Sequence, residues 1–442
     1  MSAVSTLVSP RDLAVAPSAP RGGLVDSPVA RRVMVLMLSA FSLVGPLIET
    51  VLTDRTHYKE GTTATNPAVA AIDDVGSIIV PVVAAAAVLL VVLYARISGP
   101  SLLLVVLPGV VLAANEFVHG RNPTWGLLLT SAAGALVVSV RVKTGDLVVL
   151  AYVGGLVAAG SLVAMSLAPA KVIISGGTGT FDKSLTGAPL LAGIFSHSNT
   201  FGMFLAFSLP CIFLVRRALV RWPLLIVVAW ALVLTSSRTA LIGAGAMLAV
   251  VVLSRILPRA GFLTVSVLGA VGTLIAVIRI PFVETDPEAF TYRGAIWIYN
   301  RGVLGDHYLF GLSAHWYADN YPVLREVLSS AASHAHNLVL TTLVQGGAVV
   351  LVFWLAVIAF ALYGAVTDPV RSSSVAGIAL VVGVLAIGAT ETPFPLLGWG
   401  PLSASTLIPL FVFAIRRRLD QEQVAVDGVR PDTRAARRGR WN

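Results

Sequence analysis

The sequence predicts an all-α integral membrane protein, and three observations support this fold class. Hydrophobic residues make up 56% of the chain, charged residues make up only 12%, and the mean hydropathy is +0.86, whereas a soluble globular protein carries about 25% charged residues. Apolar runs of roughly 15 to 25 residues recur along the chain, and about 20 residues of helix cross a bilayer core. The apolar run 78–93 lacks the alternating polarity of a transmembrane β-strand, so the pattern does not favour a barrel.

Twelve transmembrane helices are predicted from these runs. Their approximate bounds are 32–52, 75–95, 101–115, 124–140, 147–168, 199–215, 222–235, 239–254, 262–279, 337–362, 375–389 and 402–415. Under this count, five short connections that carry basic residues, and both tails, fall on one side of the membrane. Their basic residues include Arg31, Arg96, Arg141, Arg216, Arg255, Arg371 and Arg416. The positive-inside rule makes this side cytoplasmic, which predicts a multi-pass protein of the cytoplasmic (inner) membrane with both termini inside.

The predicted spans divide the chain into five segments. Residues 1–31 form a disordered cytoplasmic tail, residues 32–279 form helices 1 to 9, and residues 280–336 form a large extracytoplasmic loop. Residues 337–415 form helices 10 to 12, and residues 416–442 form a basic cytoplasmic tail, also expected to be disordered. The large loop is the longest connection, and loops of this length usually have a function. We therefore expect catalytic residues in it.

The net charge and the cysteine content bear on nucleic-acid binding, on disulfide formation and on metal binding by cysteine. The formal net charge is +9, but most of the excess arginine lies in tails and inner loops that face anionic lipid. The charge therefore does not indicate nucleic-acid binding. The single cysteine, Cys211, lies inside the sixth predicted span, which excludes an intramolecular disulfide and a cysteine-based metal cluster.

Arg238 lies in the short polar turn Thr235–Thr239 between two apolar spans. A charge in the middle of a membrane helix costs roughly 2.5 to 3.5 kcal/mol on the mild insertion scale, so this side chain requires a compensating partner. One interpretation is that Arg238 extends to the outer lipid headgroups. The other is that it binds phosphate, because the planar guanidinium meets phosphate oxygens in pairs and keeps its proton when it is desolvated.

The large loop combines aromatic and basic residues, which is typical of a surface that binds sugars and anions. Residues 291–304 are predicted to form a short amphipathic helix across the outer mouth of the protein. Helical spacing then directs Arg293, Trp297 and Arg301 towards the substrate. For Arg301, a solvated loop arginine remains an open alternative, because exposed ion pairs contribute little.

Two histidines, His334 and His336, precede the tenth predicted span, and Asn337 stands at the expected helix start as a good N-cap. A neutral imidazole can remove a proton from a hydroxyl near pH 7, so the pair fits a base that activates a sugar hydroxyl. Two alternatives remain open. A His-x-His pair is also a metal-ligand pattern, although the sequence supplies no third ligand nearby. Polar residues also occur at helix ends for structural reasons alone.

The acidic residues give two further sets of candidates. Glu391 lies between the last two predicted spans, where it could orient an arginine or a histidine. Glu284, Asp286 and Glu288 begin the large loop and are the expected ligands if a divalent metal holds a pyrophosphate. Because several arginines already face outward, such a metal is less necessary. The sequence therefore predicts neither a metal nor an organic cofactor.

Several stretches of the chain resemble motifs of one family of membrane enzymes. They are Gly193-Ile194-Phe195-Ser196-His197-Ser198-Asn199, Ser237-Arg238-Thr239-Ala240-Leu241, Arg293 with Trp297, and His336-Asn337 with the later Gly346-Gly347. They are similar to the Gly-x-Phe-x-x-x-Asn, Ser-Arg-x-x-Leu, Arg-x-x-x-Trp and His-Asn patterns of the O-antigen ligase and O-antigen polymerase superfamily, and they occur in its order. The resemblance covers residues 190–350. One stretch departs from it, because Gly311-Leu312-Ser313 stands where that family often has Gly-x-Gly.

The resemblance implies a fold similar to the C-type glycosyltransferases and an inverting, metal-independent transfer of a glycan. The donor is an oligo- or polysaccharide on undecaprenyl diphosphate, and the acceptor is the hydroxyl of a glycan or glycolipid at the outer membrane face. Arg238 and Arg293 then hold the diphosphate, and His336 activates the hydroxyl or helps to stabilise the leaving group. Asn199 hydrogen-bonds the sugar or caps its helix. The other substrate-binding candidates are Trp297, Arg301, His334, Asn337 and Glu391.

A polytopic transporter or flippase of the same lipid-linked glycans is the alternative from another functional class. It predicts ionisable residues at the bilayer midplane and helices broken by glycine or proline in two related halves. The predicted spans are nearly free of charge, and the polar residues collect on one face. This distribution favours the enzyme. Ligase and polymerase are not distinguished by the sequence.

Overall fold

The computed structural model describes residues 27–54, 99–174, 183–328 and 333–427, and it describes side chains as far as residue 416. Helices make up most of these ranges. They are α1 (Pro28–Leu52), α2 (Gly99–Val118), α3 (Trp125–Ser139), α4 (Val148–Leu167), α5 (Pro169–Val172), α6 (Ser198–Ile212), α7 (Ala218–Leu234), α8 (Arg238–Ile256), α9 (Arg259–Val283), α10 (Ala289–Leu304), α11 (Trp316–Asp319), α12 (Tyr321–Val327), α13 (Leu338–Thr367), α14 (Arg371–Gly388) and α15 (Ser403–Asp427). A 3₁₀ helix (Thr144–Leu147) precedes α4, and β1 (Ile173–Ile174) pairs antiparallel with β2 (Leu190–Leu191).

The all-α membrane class is confirmed. Within the described ranges, seven helical segments are long and apolar enough to cross a membrane: Pro28–Leu52, Gly99–Val118, Thr144–Leu167, Arg238–Ile256, Arg259–Val283, Leu338–Thr367 and Arg371–Gly388. Four shorter apolar helices accompany them: Trp125–Ser139, Ser198–Ile212, Ala218–Leu234 and Ser403–Arg416. These segments overlap eleven of the predicted spans. The remaining predicted span, 75–95, lies outside the described residues, so the number of twelve spans stays a prediction.

Helix α14 lies at the centre of the bundle. In its most apolar window 83% of the residues are buried, against 22% to 44% in the other long spans. It packs against α6, α8, α9, α13 and α15. The approach of α8 is close, because a Cβ atom on Gly243 would collide with Ile387 and one on Gly383 would collide with Met247. Small residues of this kind let two membrane helices pack tightly without a hydrophobic driving force.

Several boundaries differ from the sequence-based prediction, and three of them border the predicted tails and the predicted large loop. Helix α1 begins at Pro28, inside the segment that we expected to be disordered, and Arg31 in its first turn is held by an ion pair. Helix α9 continues beyond 279 to Val283. Helix α15 continues beyond 415 to Asp427. Helix α15 extends past its apolar run, because helical backbone hydrogen bonds do not require apolar side chains.

Helices α8, α13 and α14 connect two chemically different ends of the bundle. We call one the Asp368 end, where α8 and α13 finish and α14 starts, and the other the Glu391 end, where α8 and α13 start and α14 finishes. A helix of the length of α14 rises about 27 Å, close to the thickness of a bilayer core. The two ends therefore lie a membrane thickness apart.

Ion pairs between arginine and aspartate hold the Asp368 end together. Nε of Arg31 lies 2.7 Å from Oδ2 of Asp146, and Arg416 pairs with Asp368. Arg371 donates to the carbonyl oxygen of Ser254. These contacts join the start of α1, the 3₁₀ helix before α4, the end of α8, the connection from α13 to α14, and α15.

Candidate active site

A buried carboxylate organises the Glu391 end. The side chain of Glu391 follows α14 and is only 3% exposed. Its Oε1 accepts a hydrogen bond from Arg293, and its Oε2 lies 3.2 Å from Nε2 of His334 and 3.0 Å from Nδ1 of His336. We call these four residues the Glu391 cluster. Three separate parts of the chain thus bring one anion, one cation and two imidazoles together.

Asn337 places His336 against Glu391. Its Oδ1 caps α13 by accepting from the backbone N–H of Leu340 at 2.9 Å, as predicted for an N-cap. Its Nδ2 donates to the carbonyl oxygens of Val277 and Ala389, each at 3.0 Å. Asn337 is fully buried and its amide is used by these contacts. These contacts join α13 to α9 and to the end of α14. That Asn337 also binds substrate remains a prediction.

Trp297 has a similar structural role. Its side chain is fully buried, and its Nε1 donates to the carbonyl oxygen of Ala335 at 2.8 Å. Its ring packs on that of Phe290, with 5.1 Å between the ring centroids. The indole ring packs between α10 and the segment before α13, and the contact of Trp297 with substrate remains a prediction. Arg293 lies one helical turn earlier on the same face of α10, so Trp297 fixes the position of the guanidinium.

The hydrogen bonds of Glu391 determine the tautomer of His336. An ionised carboxylate only accepts hydrogen bonds, so Nδ1 of His336 carries the hydrogen and Nε2 keeps its lone pair. The same reasoning makes Nε2 of His334 a donor to Glu391, and its Nδ1 then accepts from the hydroxyl of Ser333 at 3.1 Å. A base and its orienting carboxylate are arranged in this way in hydrolases that use a catalytic triad.

The protonation states agree with this arrangement. Burial lowers the pKa of His336 from 6.5 to about 4, because desolvation penalises the imidazolium; Glu391 acts in the opposite direction, and His334 and Arg293 lower it further. Burial alone would raise the pKa of the Glu391 carboxyl, but hydrogen bonds from both imidazoles and the charge of Arg293 hold that pKa well below its usual value. Near pH 7 the cluster therefore contains a carboxylate and a neutral His336.

Arg238 lies beside the cluster at the start of α8. The hydroxyl of Ser237 caps this helix, and the Arg238 side chain is exposed. Within the described part of the chain, it makes no hydrogen bond or ion pair, so its donors are available to a ligand. The next residue, Thr239, accepts a hydrogen bond from Arg293 at 3.3 Å and lies 3.0 Å from the hydroxyl of Thr390. The sequence-based reasoning did not select Thr239, although its place next to Arg238 in a short polar turn was a usable signal.

Two other predicted residues have different positions. Asn199 donates from Nδ2 to Oε1 of Glu391 at 3.3 Å, so it belongs to the surroundings of the cluster. It does not cap its helix, because the N-cap of α6 is His197, whose Nδ1 accepts from the backbone N–H of Asn199. Arg301 points away from the cluster and donates to the carbonyl oxygens of Phe282 and Glu284 at 2.6 and 2.8 Å. These contacts support the connection from α9 to α10. That Arg301 also contacts substrate remains a prediction.

Left-handed backbone conformations occur beside each of the three basic candidates. His336 itself has a φ of +48°, Tyr292 before Arg293 has a φ of +65°, and Ser236 near Arg238 has a φ of +50°. Such conformations cost about 1 to 3 kcal/mol each in a residue with a side chain and persist where the surroundings enforce them. Strain of this kind is typical of functional sites.

The cluster also contains a possible set of metal ligands. Ligand atoms of His334, His336 and Glu391 all lie within 4.8 Å of one another. The sequence had supplied only two of them, because the third comes from a distant connection. However, Arg293 already neutralises Glu391, and a metal ion would have to bind beside this guanidinium. The donor set therefore fits a metal poorly while Arg293 remains in place.

Of the other acidic candidates, Glu284 and Asp286 accept hydrogen bonds from nearby backbone N–H groups.

Comparison with protein families gives a match for part of the chain. Residues 223–355 match the family described as O-antigen ligase. The matched segment contains Arg238, Arg293, His334 and His336, whereas Glu391 lies beyond it. No curated protein and no solved structure is similar enough to the chain to count as a match.

Proposed function

We propose that this chain, which belongs to the O-antigen ligase and polymerase superfamily, transfers a glycan from undecaprenyl diphosphate to a sugar hydroxyl of an acceptor. The transfer takes place at the outer face of the cytoplasmic membrane. One observation carries the proposal: Glu391 holds His336 through Nδ1 and leaves Nε2 free to take a proton. The family match supports glycan transfer in general, and the cluster supplies the chemistry.

In the proposed reaction, the acceptor hydroxyl attacks the anomeric carbon of the donor sugar. Nε2 of His336 takes the hydroxyl proton as the new carbon–oxygen bond forms. Glu391 stabilises the resulting imidazolium, because its carboxylate remains hydrogen-bonded to Nδ1. The bond between the anomeric carbon and the phosphate oxygen breaks on the opposite side, so the configuration at that carbon is inverted.

The leaving group is undecaprenyl diphosphate, and arginine side chains stabilise the charge that develops on it. A guanidinium has five N–H donors, and Arg293 uses two in its contacts with Glu391 and Thr239. Its remaining donors and those of the exposed Arg238 are available for phosphate oxygens. Preorganised donors of this kind lower the barrier because they need no rearrangement during the reaction. No metal is assigned a role, and we expect transfer to continue in the presence of a chelator.

The location of the polar residues supports the enzyme over a transporter. A transporter places ionisable groups near the bilayer midplane, whereas the Glu391 cluster lies where helices begin and end. The arginine–aspartate pairs of the opposite end comprise residues that the positive-inside rule assigns to the cytoplasm. The Glu391 end is therefore the extracytoplasmic end in our proposal.

Mass spectrometry of undecaprenyl-linked glycans tests the proposal. Extracts from a strain that lacks the protein are compared with extracts from strains that carry the wild type, His336→Ala or His307→Ala. His307 is a matched control because it is an exposed histidine of the same loop outside the cluster. We expect His336→Ala to match the strain without the protein and His307→Ala to match the wild type.

The accumulated species identifies the reaction. Single repeat units on the lipid indicate a polymerase, and long chains on the lipid without glycan on the final acceptor indicate a ligase. An unchanged lipid-linked pool in the strain without the protein contradicts the proposed function.

A further inference from the structure

Another buried carboxylate, besides Asp146 and Asp368, lies near the end of α2 and outside the Glu391 cluster. Glu116 has no exposed surface. Its Oε1 accepts from the backbone N–H of Ala314 at 2.7 Å, and its Oε2 accepts from the hydroxyl of Ser313 at 3.2 Å. Among the described residues, no cationic side chain pairs with it. Burial of a carboxylate with only neutral donors is unfavourable, so these two hydrogen bonds require an explanation.

Two more side chains, one in the last turn of α2 and one directly after this helix, hold the same stretch of the large loop. Nδ2 of Asn115 donates to the carbonyl oxygen of Phe310 at 2.7 Å, and Nε2 of His119 lies 3.1 Å from the carbonyl oxygen of Gly311. From the other side, Nε2 of Gln345 in α13 donates to the carbonyl oxygen of Ala314 at 2.8 Å. We call residues 308–314 the clamped turn, because α2 and α13 hold it from opposite sides.

The clamped turn fills a break in α13. At Gly347 the backbone leaves the helical conformation, with a φ of +68°, and a Cβ atom there would collide with the carbonyl group of Leu309. The backbone N–H of Leu312 donates to the carbonyl oxygen of Val344 at 2.7 Å, and that of Ala348 donates to the carbonyl oxygen of Tyr308 at 2.8 Å. The turn thereby pairs backbone groups that the break leaves without helical partners, as a membrane helix requires.

The break divides α13 into two parts, and the shorter part, residues 338–346, begins next to His336. Its near end is fixed by Asn337, and its far end is fixed by the clamped turn. We propose that Glu116 is a positioning residue, which holds the clamped turn in the break of α13 and thereby holds His336 against Glu391. The inference rests on the proposed function, in which His336 acts as the base.

The test uses the purified full-length chain in lipid nanodiscs with a lipid-linked glycan donor and its acceptor. Glu116→Ala removes both hydrogen bonds, whereas Glu116→Gln keeps an oxygen for Ala314 and an N–H group for Ser313. We expect Glu116→Ala to lower kcat by about tenfold, the size of effect that a small misplacement of a catalytic group produces. We also expect the acidic limb of the plot of kcat/KM against pH to move to higher pH. A displaced His336 is less buried, so its pKa is lowered less. Glu116→Gln should restore both values.

The position of the acidic limb separates positioning from loss of folded protein, because it does not depend on the amount of active enzyme. Asp146→Ala is the control, since Asp146 is a buried carboxylate at the opposite end. Asp146→Ala should lower the melting temperature of the protein and leave the acidic limb of the kcat/KM profile at the wild-type pH. An unchanged limb and kcat in Glu116→Ala, or equal defects in Glu116→Ala and Glu116→Gln, would overturn the inference.

Hydrogen exchange of residues 338–346 gives a readout that does not require transfer. We expect faster exchange there in Glu116→Ala and wild-type exchange in Glu116→Gln and Asp146→Ala. If the wild type fails to transfer glycan, the proposed function is wrong, and the exchange rates still decide whether Glu116 holds this part of α13. Equal exchange in wild type and Glu116→Ala overturns the positioning role.

Discussion

The Glu391 end and the Asp368 end both contain buried carboxylates, but the partners of these carboxylates differ. At the Asp368 end, Asp146 and Asp368 pair with arginine, and these contacts tie helices together. At the Glu391 end, one carboxylate is shared by an arginine and two imidazoles. A guanidinium keeps its proton at any ordinary pH, whereas an imidazole exchanges its proton near neutrality. Both ends therefore use ion pairs, and only the Glu391 end can also transfer a proton.

The largest effect should follow from removal of the reacting groups at the Glu391 end. We expect His336→Ala to lower kcat by about 10² to 10⁴-fold, the usual contribution of a general base. Arg293→Ala should cause a loss of similar size, because an electrostatic donor to the leaving group contributes about 10² to 10³-fold. Both variants should insert in the membrane normally. Transfer assays with purified protein measure the effect, and wild-type rates in both variants would contradict the site assignment.

A matched exchange of a carboxylate for an amide compares the two ends directly. Glu391→Gln should lower kcat by about 10²-fold or more, because the amide no longer fixes the tautomer of His336 or stabilises its imidazolium. Asp368→Asn should instead destabilise the fold by about 3 kcal/mol, because it leaves Arg416 without its buried partner. Transfer rates per folded protein and thermal unfolding in detergent measure the two effects. If Asp368→Asn lowers kcat as strongly as Glu391→Gln, the two ends do not differ in function.

Lysine substitutions test whether the exposed and the structural arginine differ. Arg238→Lys should lower kcat/KM by about tenfold, because an ammonium group cannot bind two phosphate oxygens with a planar fork. Arg301→Lys should change transfer by less than about threefold, because its contacts are with backbone carbonyl oxygens away from the cluster. Donor titrations provide both values. If Arg301→Lys lowers kcat/KM more than Arg238→Lys does, then Arg301 and not Arg238 binds the diphosphate.

The smallest expected effect is the change in kcat/KM when the pH is lowered from 7 to 5. His336 is a base whose folded-state pKa lies at about 4, below the usual 6.5, so its neutral form is present above pH 4 and is lost below it. Because kcat/KM reports the ionisation of the free enzyme, it should change by about a tenth between pH 7 and pH 5 and fall steeply near pH 4. An acidic limb near pH 6.5 would show that His336 is not buried in the working enzyme.

The fold was largely predictable because each membrane helix is encoded locally. A run of apolar residues is sufficient to place a helix in a bilayer, and eleven predicted spans overlap apolar helices of the described chain. The ends were less predictable: α15 continues through the basic residues after Arg416, where hydropathy gives no signal. The break of α13 at Gly347 depends on the loop that fills it, so the local sequence did not predict it.

The site was only partly predictable because its members meet through tertiary structure. Arg293, His336 and Glu391 were each selected for their chemistry, but their mutual contacts depend on the packing of α10, α13 and α14. The burial of Trp297 was not predictable, because an aromatic residue in a loop can stack on a sugar or pack in a core, and sequence does not distinguish the two. Glu116 was missed because it lies at the end of an apolar run, where a carboxylate is usually solvated.

The break in α13 also has a consequence for the relation between this protein and its bilayer. Residues 348–367 rise about 30 Å as a helix, which matches the hydrocarbon thickness of a typical membrane. The longer part is therefore sufficient by itself to cross the bilayer, and residues 338–346 are not needed to match the lipid thickness. A thicker or thinner bilayer tilts the longer part, while the shorter part keeps its orientation through the clamped turn. Glycan transfer should therefore vary little with acyl chain length, although the melting temperature of the protein varies with it.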